Sequence, residues 1–327
     1  ANPGRVRGIA VDIRDSKALL ALFAQQGQNI KIFHFEACTN PSGQVMDLHL
    51  LSELRKRARE CQFVCDNTWL SGASGFNPFQ FGVDIVLESM TKYLSGGYCI
   101  GGMALGLNAA MAPVVRWVRT MGIFVDADRC REFEAALHDA PRRVAAAGAN
   151  AAQIARELES DARLRVLHPV LRSHPTHATA QRILPEFVSP ACLWFFIPTP
   201  KKTLINIVSG GQSPIEFKTS FGGPESRIDP WPKAGSRNDY DGKGDATAGV
   251  WVRIAAGYEE TAEVTLGKIG QLLDAALGGG AHKIKGTGAA LGGGGQHKVT
   301  AGDKAKQGKP KARGWAKDRE QRQQQTE

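Results

Sequence analysis

Short apolar segments that end in polar residues alternate with helical segments, and this alternation constrains the fold more than any other feature. Residues 30–35 are rich in strand formers, and residues 63–65 and 84–87 are short apolar runs typical of buried strands. Residues 47–60 repeat apolar side chains at helical spacing, and the Gly-rich residues 98–105 predict a fourth strand. Short apolar strands mixed with helices indicate an α/β fold with a mainly parallel sheet covered on both faces.

Polar residues follow two of these strands at the position where parallel sheets bind their ligands. Asp66 closes the strand at 63–65, and Ser89, Thr91 and Lys92 follow the strand at 84–87. Ligands of such sheets lie beyond the carboxyl ends of the strands. We therefore expect these four side chains at one edge of the sheet.

The second half of the chain predicts connecting helices and then a smaller α+β unit. Residues 113–160 are rich in Ala, Arg and Glu and predict helices with breaks near Gly122 and Pro141. The polar, Pro- and Gly-containing residues 229–247 predict a loop. The unit's other predicted elements are strands at 165–167, 191–197, 217–220 and 250–256, and helices at 177–183, 201–208 and 259–277.

The positive charge of the chain is concentrated in its last 50 residues. The whole chain has a formal net charge of +9, and residues 278–327 contribute 11 Lys/Arg against 4 Asp/Glu. This segment has too few large apolar residues to offset its ordering entropy, so we expect a tail that is disordered in isolation. Its cations could neutralise nucleic-acid phosphates, and we expect contact with nucleic acid only through this tail.

Several classes of protein are not favoured by the sequence. It has no run of about 18 apolar residues and no basic-then-apolar leader, so we expect neither a membrane protein nor a secreted one. The six cysteines include no CxxC pair, and no metal site is expected. Scattered cysteines favour a reducing compartment, cytoplasmic or organellar.

Lys92 is the candidate centre of chemistry. Pyridoxal phosphate requires a lysine that attacks its aldehyde, an acid that holds its ring nitrogen protonated, and hydroxyls for its phosphate. Asp66, Ser89 and Thr91 supply those groups, and partial burial would make the lysine a better nucleophile. Asp and Lys are common residues, however, so the spacing alone is weak evidence, and a lone lysine after a strand is usually a solvated surface charge.

Six motifs follow one another along the chain. They are EACTNP at 36–41, CDNTW at 65–69, SMTKY at 89–93, SHPTH at 173–177, SFGGPES at 220–226 and VRIAAGYE at 252–259. Together and in this order they resemble the Cys/Met-metabolism enzymes that use pyridoxal phosphate, the group of cystathionine γ-synthases, β-lyases and γ-lyases. The resemblance covers roughly residues 8–277.

The resemblance implies a fold and a domain order. Residues 1–112 would be the C-terminal portion of a large cofactor-binding domain of the type I pyridoxal-phosphate transferase fold. Residues 113–160 would be connecting helices, residues 161–277 a C-terminal α+β domain, and residues 278–327 the Gly- and Lys-rich tail. The family also implies a homo-oligomer, either a dimer or a tetramer.

The resemblance also implies roles for particular residues. Lys92 would form the Schiff base with pyridoxal 5'-phosphate and carry protons. The other implied site residues are Asp66 at the ring nitrogen, Asn40 at the ring oxygen, Ser89 and Thr91 at the phosphate, and Ser220 and Arg253 at the substrate. Arg253 shares a strand face with Trp251, opposite the core face of Val252, Ile254 and Ala256, and would point to a site or to solvent. A structural ion pair is the alternative for Arg253.

The sequence departs from the family in several places. The family's stretch before the part that resembles Arg7 onward, with its phosphate-binding turn and ring-stacking aromatic residue, is not in this sequence, and we expect the chain as given to be incomplete for activity. The family's G-H-S-D stretch is replaced by the shorter Gly96–Cys99, and its L-R-G-L stretch by residues 134–137, EAAL. A sheet without its first strands would also expose a long edge.

Two functions follow from these observations. The first is C–S bond chemistry on sulfur amino acids by β or γ elimination or replacement, as in transsulfuration or methionine and cysteine metabolism. The second is a catalytically inactive family member that serves as a structural subunit, with its basic tail on RNA or another partner. Retention of the lysine, the acid and the other site residues together favours the enzyme.

Overall fold

A computed structural model describes residues 6–211, 213–231 and 249–278. Most of the predicted loop at 229–247, and the predicted tail beyond Gly278, lie outside the described residues. The division into four parts stays a prediction.

The first sheet has four strands, and its first three are parallel, as the sequence predicts. β1 and β2 pair in parallel, β2 and β3 pair in parallel, and β4 returns antiparallel to β3, in the order β1-β2-β3-β4. The strands are β1 (Ile32–Glu36), β2 (Gln62–Asp66), β3 (Ile85–Ser89) and β4 (Gly102–Gly106).

Two helices cover this sheet through aromatic and leucine side chains. They are α1 (Ser16–Gln26), for which the sequence analysis made no prediction, and α2 (Leu50–Arg57). Phe23 of α1 packs edge-on against Phe33 and Phe63, with ring centroids 5.4 and 6.3 Å apart. Burying such apolar surface is worth about 25 cal/mol per Å².

Three helices connect the two sheets: α3 (Asn108–Met121), α4 (Ala127–Leu137) and α5 (Ala140–Glu159). The predicted break near Gly122 is confirmed, because that glycine caps α3 with a φ of +66°. The second break lies just before Pro141, since proline is tolerated in the first turn of a helix.

The second sheet has the strand order β5-β6-β9-β8-β7, and all of its pairings are antiparallel except that of β7 with β8. Ile154, Leu193, Ile254 and Ile269 are fully buried between this sheet and its helices. Its elements are β5 (Arg165–Leu167), α6 (His177–Ile183), β6 (Cys192–Ile197), α7 (Lys201–Ser209), β7 (Glu216–Phe217), β8 (Arg227–Trp231), β9 (Val250–Ala255) and α8 (Ala262–Leu277).

The prediction of a loop from residue 229 is wrong for its first three residues. Asp229, Pro230 and Trp231 continue β8 and pair with β9. β7 pairs with β8 only as far as Ile228, so Pro230 lies where β8 has become an edge strand. A proline is tolerated there because, among the described residues, β7 does not extend far enough to need a hydrogen bond from residue 230.

Candidate active site

The three parallel strands place a row of polar side chains at one edge of the first sheet. Glu36 and Asp66 are paired in register at the ends of β1 and β2, and Ser89 ends β3. Thr68 joins two of these ends: its N–H donates to Asp66 Oδ1 at 2.9 Å, and its Oγ1 accepts from the Ser89 N–H at 2.9 Å. The structure therefore brings Asp66 and Ser89 together, as the sequence predicts.

Lys92 follows β3 in a half-buried position against the second half of the chain. Its Nζ donates a 2.8 Å hydrogen bond to Ser220 Oγ and lies 4.8 Å from the centroid of the Phe221 ring. Burial lowers the pKa of the Lys92 amine, and the positive charges of Arg253 and Arg227 lower it further. A lowered pKa leaves more of the amine neutral and able to attack a carbonyl.

Gly222 explains how residues 220–223 can lie so close to Lys92. Its φ is +87°, in the region that favours glycine, and a Cβ there would lie 2.5 Å from the Lys92 carbonyl carbon. Gly97, also with a positive φ, would place a Cβ 3.3 Å from the Gly223 Cα. Glycines on both sides of the contact allow the two backbones to meet.

Thr91 and Ser89 differ in the hydrogen bonds that their hydroxyl groups make within the protein. Thr91 Oγ1 donates to the Gly101 carbonyl at 3.2 Å and accepts from the Gly101 N–H at 3.0 Å, so its hydroxyl is occupied. The Ser89 hydroxyl makes no hydrogen bond within the part of the chain that the structure describes. Ser89 is therefore the more available phosphate donor of the two.

Asn40 is an exposed residue at the start of a turn whose next residues, 41–46, are buried, and its side chain reaches toward the second sheet. Its N–H donates to Glu36 Oε2 at 2.8 Å, and its Oδ1 accepts from Arg253 Nη1 at 3.3 Å. Because the oxygen of the amide faces Arg253, the Nδ2 remains as a donor toward a ligand. The Asn40–Pro41 peptide bond is cis.

Arg253 is buried, with only 2% of its side chain exposed, so the solvent-facing alternative for this residue is wrong. Its Nη2 donates to the Thr219 carbonyl at 2.6 Å and to Asp229 Oδ2 at 3.2 Å. The ion pair that the sequence analysis gave as the alternative is present. The expected core face of Val252, Ile254 and Ala256 is confirmed, since all three are buried in the second core.

Two carboxyl groups near the site were not predicted. Burial raises the pKa of Glu36, with the nearby Asp66 carboxylate acting in the same direction. Burial likewise raises the pKa of Glu88, whose Oε1 accepts from Asn67 Nδ2 at 3.0 Å and from the Gly72 N–H at 2.7 Å. An acidic residue in or directly after a predicted buried strand was the available signal for both.

The described residues contain no group of three or more His, Cys, Asp or Glu side chains placed to hold a metal ion. None of the helices within the described ranges is long and apolar enough to cross a membrane.

Comparison with known proteins identifies the family. A family model described as Cys/Met metabolism PLP-dependent enzyme matches residues 4–267. The chain belongs to this family. Among its relatives, the O-succinylhomoserine sulfhydrylase of Pseudomonas aeruginosa is 32% identical over 177 residues, which are 54% of this chain and 43% of that protein. The cystathionine gamma-synthase of Escherichia coli is 29% identical over 231 residues, or 70% of this chain and 58% of that protein.

Solved structures of the family share the fold. The cystathionine gamma synthase of Xanthomonas oryzae pv. oryzae, crystallised with aminoacrylate and cysteine, aligns with a TM-score of 0.69 and 26% identity. That alignment covers 82% of this chain and 68% of the other. The chain thus has the mixed α/β fold of the family and spans about half the length of the curated relatives it matches.

The side chains at this site fit the ring of pyridoxal phosphate, the cofactor that the family implies, better than its phosphate. Lys92 supplies a half-buried amine, and Asp66 has one oxygen that accepts no hydrogen bond within the described residues. For the phosphate, Ser89 offers an available hydroxyl, whereas Thr91 must first release Gly101. The residues present can therefore hold the ring and part of the phosphate.

Proposed function

We propose that the protein carries out pyridoxal-phosphate-dependent C–S bond chemistry, an elimination or replacement on a sulfur amino acid. The observation that carries this proposal is the environment of Lys92, whose amine is half-buried, hydrogen-bonded to Ser220 and flanked by the charges of two arginines. A fully exposed surface lysine would have neither the burial nor the lowered pKa of Lys92. The resemblance of the six motifs and the family membership support the same conclusion.

Different residues of the chain would bind different parts of the cofactor. Asp66 would accept a hydrogen bond from the protonated ring nitrogen, and Asn40 Nδ2 would donate to the ring oxygen. Ser89, and Thr91 if it releases Gly101, would donate to the phosphate. Pyridoxal phosphate supplies the electron sink that stabilises negative charge on the substrate's carbon atoms.

Lys92 and Arg253 would act on the substrate. The lowered pKa of Lys92 allows its Nζ to exist as the neutral amine. This amine would take a proton from one carbon atom of the substrate and deliver it to another. Ser220 Oγ, at 2.8 Å, orients the amine. Arg253 would bind the substrate's α-carboxylate with its planar guanidinium.

One observation favours the second candidate, an inactive family member that serves as a structural subunit. Arg253 Nη2 already donates to Thr219 and Asp229, so the guanidinium has less capacity for a substrate carboxylate than a free one. The predicted dimer or tetramer and the predicted nucleic-acid contact of the tail stay predictions under either function.

A turnover experiment separates the two candidates. The native protein is loaded with pyridoxal phosphate and given cystathionine, O-succinylhomoserine with cysteine, or methionine, and thiol, keto acid and new thioether products are measured. The matched variants are Lys92→Arg, which we expect to abolish turnover, and Lys17→Arg on the exposed face of α1, which should leave turnover unchanged. A protein that binds the cofactor but yields no product from any of these substrates would support the structural subunit.

A further inference from the structure

The turn that carries Asn40 is compact: Asn40 is exposed, whereas residues 41–46 are buried. Cys38 and Val45 form an antiparallel bridge, the Thr39 N–H donates to the Gln44 carbonyl at 2.9 Å, and the Gly43 N–H donates to the Thr39 carbonyl at 2.8 Å. These bonds close the turn on itself. They do not by themselves fix the direction in which Asn40 points.

The SHPTH segment of the second half contacts the far side of this turn, in addition to the bonds that Asn40 itself makes with Glu36 and Arg253. His174 Nε2 lies 2.9 Å from the Ser42 carbonyl oxygen, and the Val45 N–H donates to Thr176 Oγ1 at 2.9 Å. Thr176 Oγ1 lies 3.2 Å from His174 Nδ1. These hydrogen bonds therefore run from Ser42 through the side chains of His174 and Thr176 to Val45, so that the network starts and ends on the same turn.

The chemistry of the atoms determines which is the donor and which the acceptor in each of these hydrogen bonds. The Ser42 carbonyl can only accept, so His174 Nε2 carries a proton. The Thr176 N–H can only donate and lies 3.3 Å from His174 Nδ1, so Nδ1 is an acceptor. The Thr176 hydroxyl must then donate to Nδ1 while its oxygen accepts from Val45. Burial lowers the pKa of His174, in agreement with a neutral ring.

Burial makes these bonds costly to lose. His174 is 3% exposed, Thr176 6% and Val45 1%. Removing the Thr176 hydroxyl would leave the Val45 N–H without its acceptor and His174 Nδ1 without one of its donors. A buried polar group left unsatisfied in this way costs more than a hydrogen bond lost at the surface.

We propose that His174 and Thr176 are positioning residues that hold the Ser42–Val45 side of the turn and so direct Asn40 into the candidate active site. The effect on the cofactor rests on the proposed function of Asn40, whereas the hold on the turn does not. The SHPTH segment thereby gains a role that its sequence alone did not indicate.

The experiment compares Thr176→Val, which removes the hydroxyl, with Thr176→Ser, which keeps it. Ile269→Val, in the second core and far along the chain, is the control for a general loss of packing. Hydrogen exchange of the Val45 amide is measured on the native protein without cofactor, with the amides of β6 as internal reference. Affinity for pyridoxal phosphate is then measured by spectral titration.

We expect Thr176→Val to speed Val45 exchange by about tenfold relative to β6 and to weaken cofactor affinity several-fold, the scale of one lost buried hydrogen bond. Thr176→Ser should keep the wild-type values of both the Val45 exchange rate and the cofactor affinity. Ile269→Val should change neither the Val45 exchange rate relative to β6 nor the cofactor affinity. Unchanged Val45 exchange in Thr176→Val would overturn the proposal. So would faster exchange with unchanged affinity in a protein whose Lys92 takes the cofactor.

If the wild-type protein takes no cofactor on Lys92, the proposed function fails, and the exchange ratio alone decides whether His174 and Thr176 hold the turn.

Discussion

Lys92 Nζ and Ser220 Oγ are joined by a 2.8 Å hydrogen bond across 128 positions of the chain. The lysine follows a strand of the first sheet, and the serine precedes β8 of the second. The candidate active site therefore depends on residues 220–223 lying against the Lys92 backbone, and the first prediction tests that contact.

Replacing Gly222 with alanine should displace Lys92. Gly222 and Gly82 have nearly equal φ angles, +87° and +88°, but a Cβ at Gly82 meets nothing within 4 Å. Gly82→Ala should cost only the strain of a positive φ, about 1–2 kcal/mol. Gly222→Ala should cost clearly more, because its Cβ meets backbone atoms at 2.5 Å.

Denaturant unfolding of the two glycine variants measures this difference. Equal losses of unfolding free energy would show that residues 220–223 do not press against Lys92.

The second prediction concerns the pH dependence of Lys92. Since burial lowers the pKa of its amine, the neutral fraction of Lys92 at a given pH exceeds that of an ordinary lysine, whose pKa is 10.5. Labelling with an aldehyde and borohydride between pH 6 and 11, followed by peptide mapping, should give a midpoint for Lys92 below 10.5. A midpoint at or above that value would mean that the amine is as well hydrated as a surface lysine.

Much of the fold could be predicted from the sequence, because the spacing of apolar residues within a short segment indicates whether that segment is a strand or a helix. The predicted bounds of the β5 strand and the α6 helix agree with the structure, and so does the convergence of Asp66 and Ser89 at the carboxyl ends of β2 and β3. These features depend on local pattern and on the geometry of parallel sheets.

What could not be predicted depends on contacts between distant parts of the chain. The burial of Arg253 requires Asp229, which the sequence placed in a loop because of the neighbouring Pro230 and the polar residues that follow. The occupied hydroxyl of Thr91 and the chain of bonds from His174 to Val45 likewise arise from tertiary packing. The spacing of residues within a single strand or helix does not indicate which distant side chains will contact each other.

The third prediction is that Arg253 and Asp229 are energetically coupled. Both side chains are almost fully buried, and breaking a buried ion pair by removing one partner is strongly destabilising. Arg253→Met and Asp229→Asn should each lower the unfolding free energy by about 3–5 kcal/mol, and the double variant by less than the sum.

A double-mutant cycle in denaturant measures this coupling, with the exposed pair Arg131 and Asp128 on α4 as the control. The control pair should show no measurable coupling. Additive losses at Arg253 and Asp229 would contradict the buried pair.

The fourth prediction concerns acid stability. His168 is fully buried; its Nε2 bonds the Pro190 carbonyl and its Nδ1 accepts from the Val170 N–H. Burial lowers the pKa of His168 from 6.5 to about 4. The unfolded chain thus binds more protons between these two values, and stability falls as the pH decreases through this window.

At about 1.4 kcal/mol per pH unit, His168 should account for a loss of about 3 kcal/mol across that window. The variant His168→Gln should show a shallower decrease of unfolding free energy between pH 6.5 and 4, with the remaining slope arising partly from His174. Identical slopes in the two proteins would show that the His168 ring is not held neutral.

The most direct test of the central claim is the identity of the residue that takes pyridoxal phosphate. The native protein is incubated with the cofactor, reduced with borohydride, digested and mapped by mass spectrometry, with Lys92→Arg as the matched control. We predict a phosphopyridoxyl adduct on Lys92 near one per chain, absent from Lys92→Arg. An adduct spread over surface lysines at equal levels in both proteins, with none enriched on Lys92, would contradict the account.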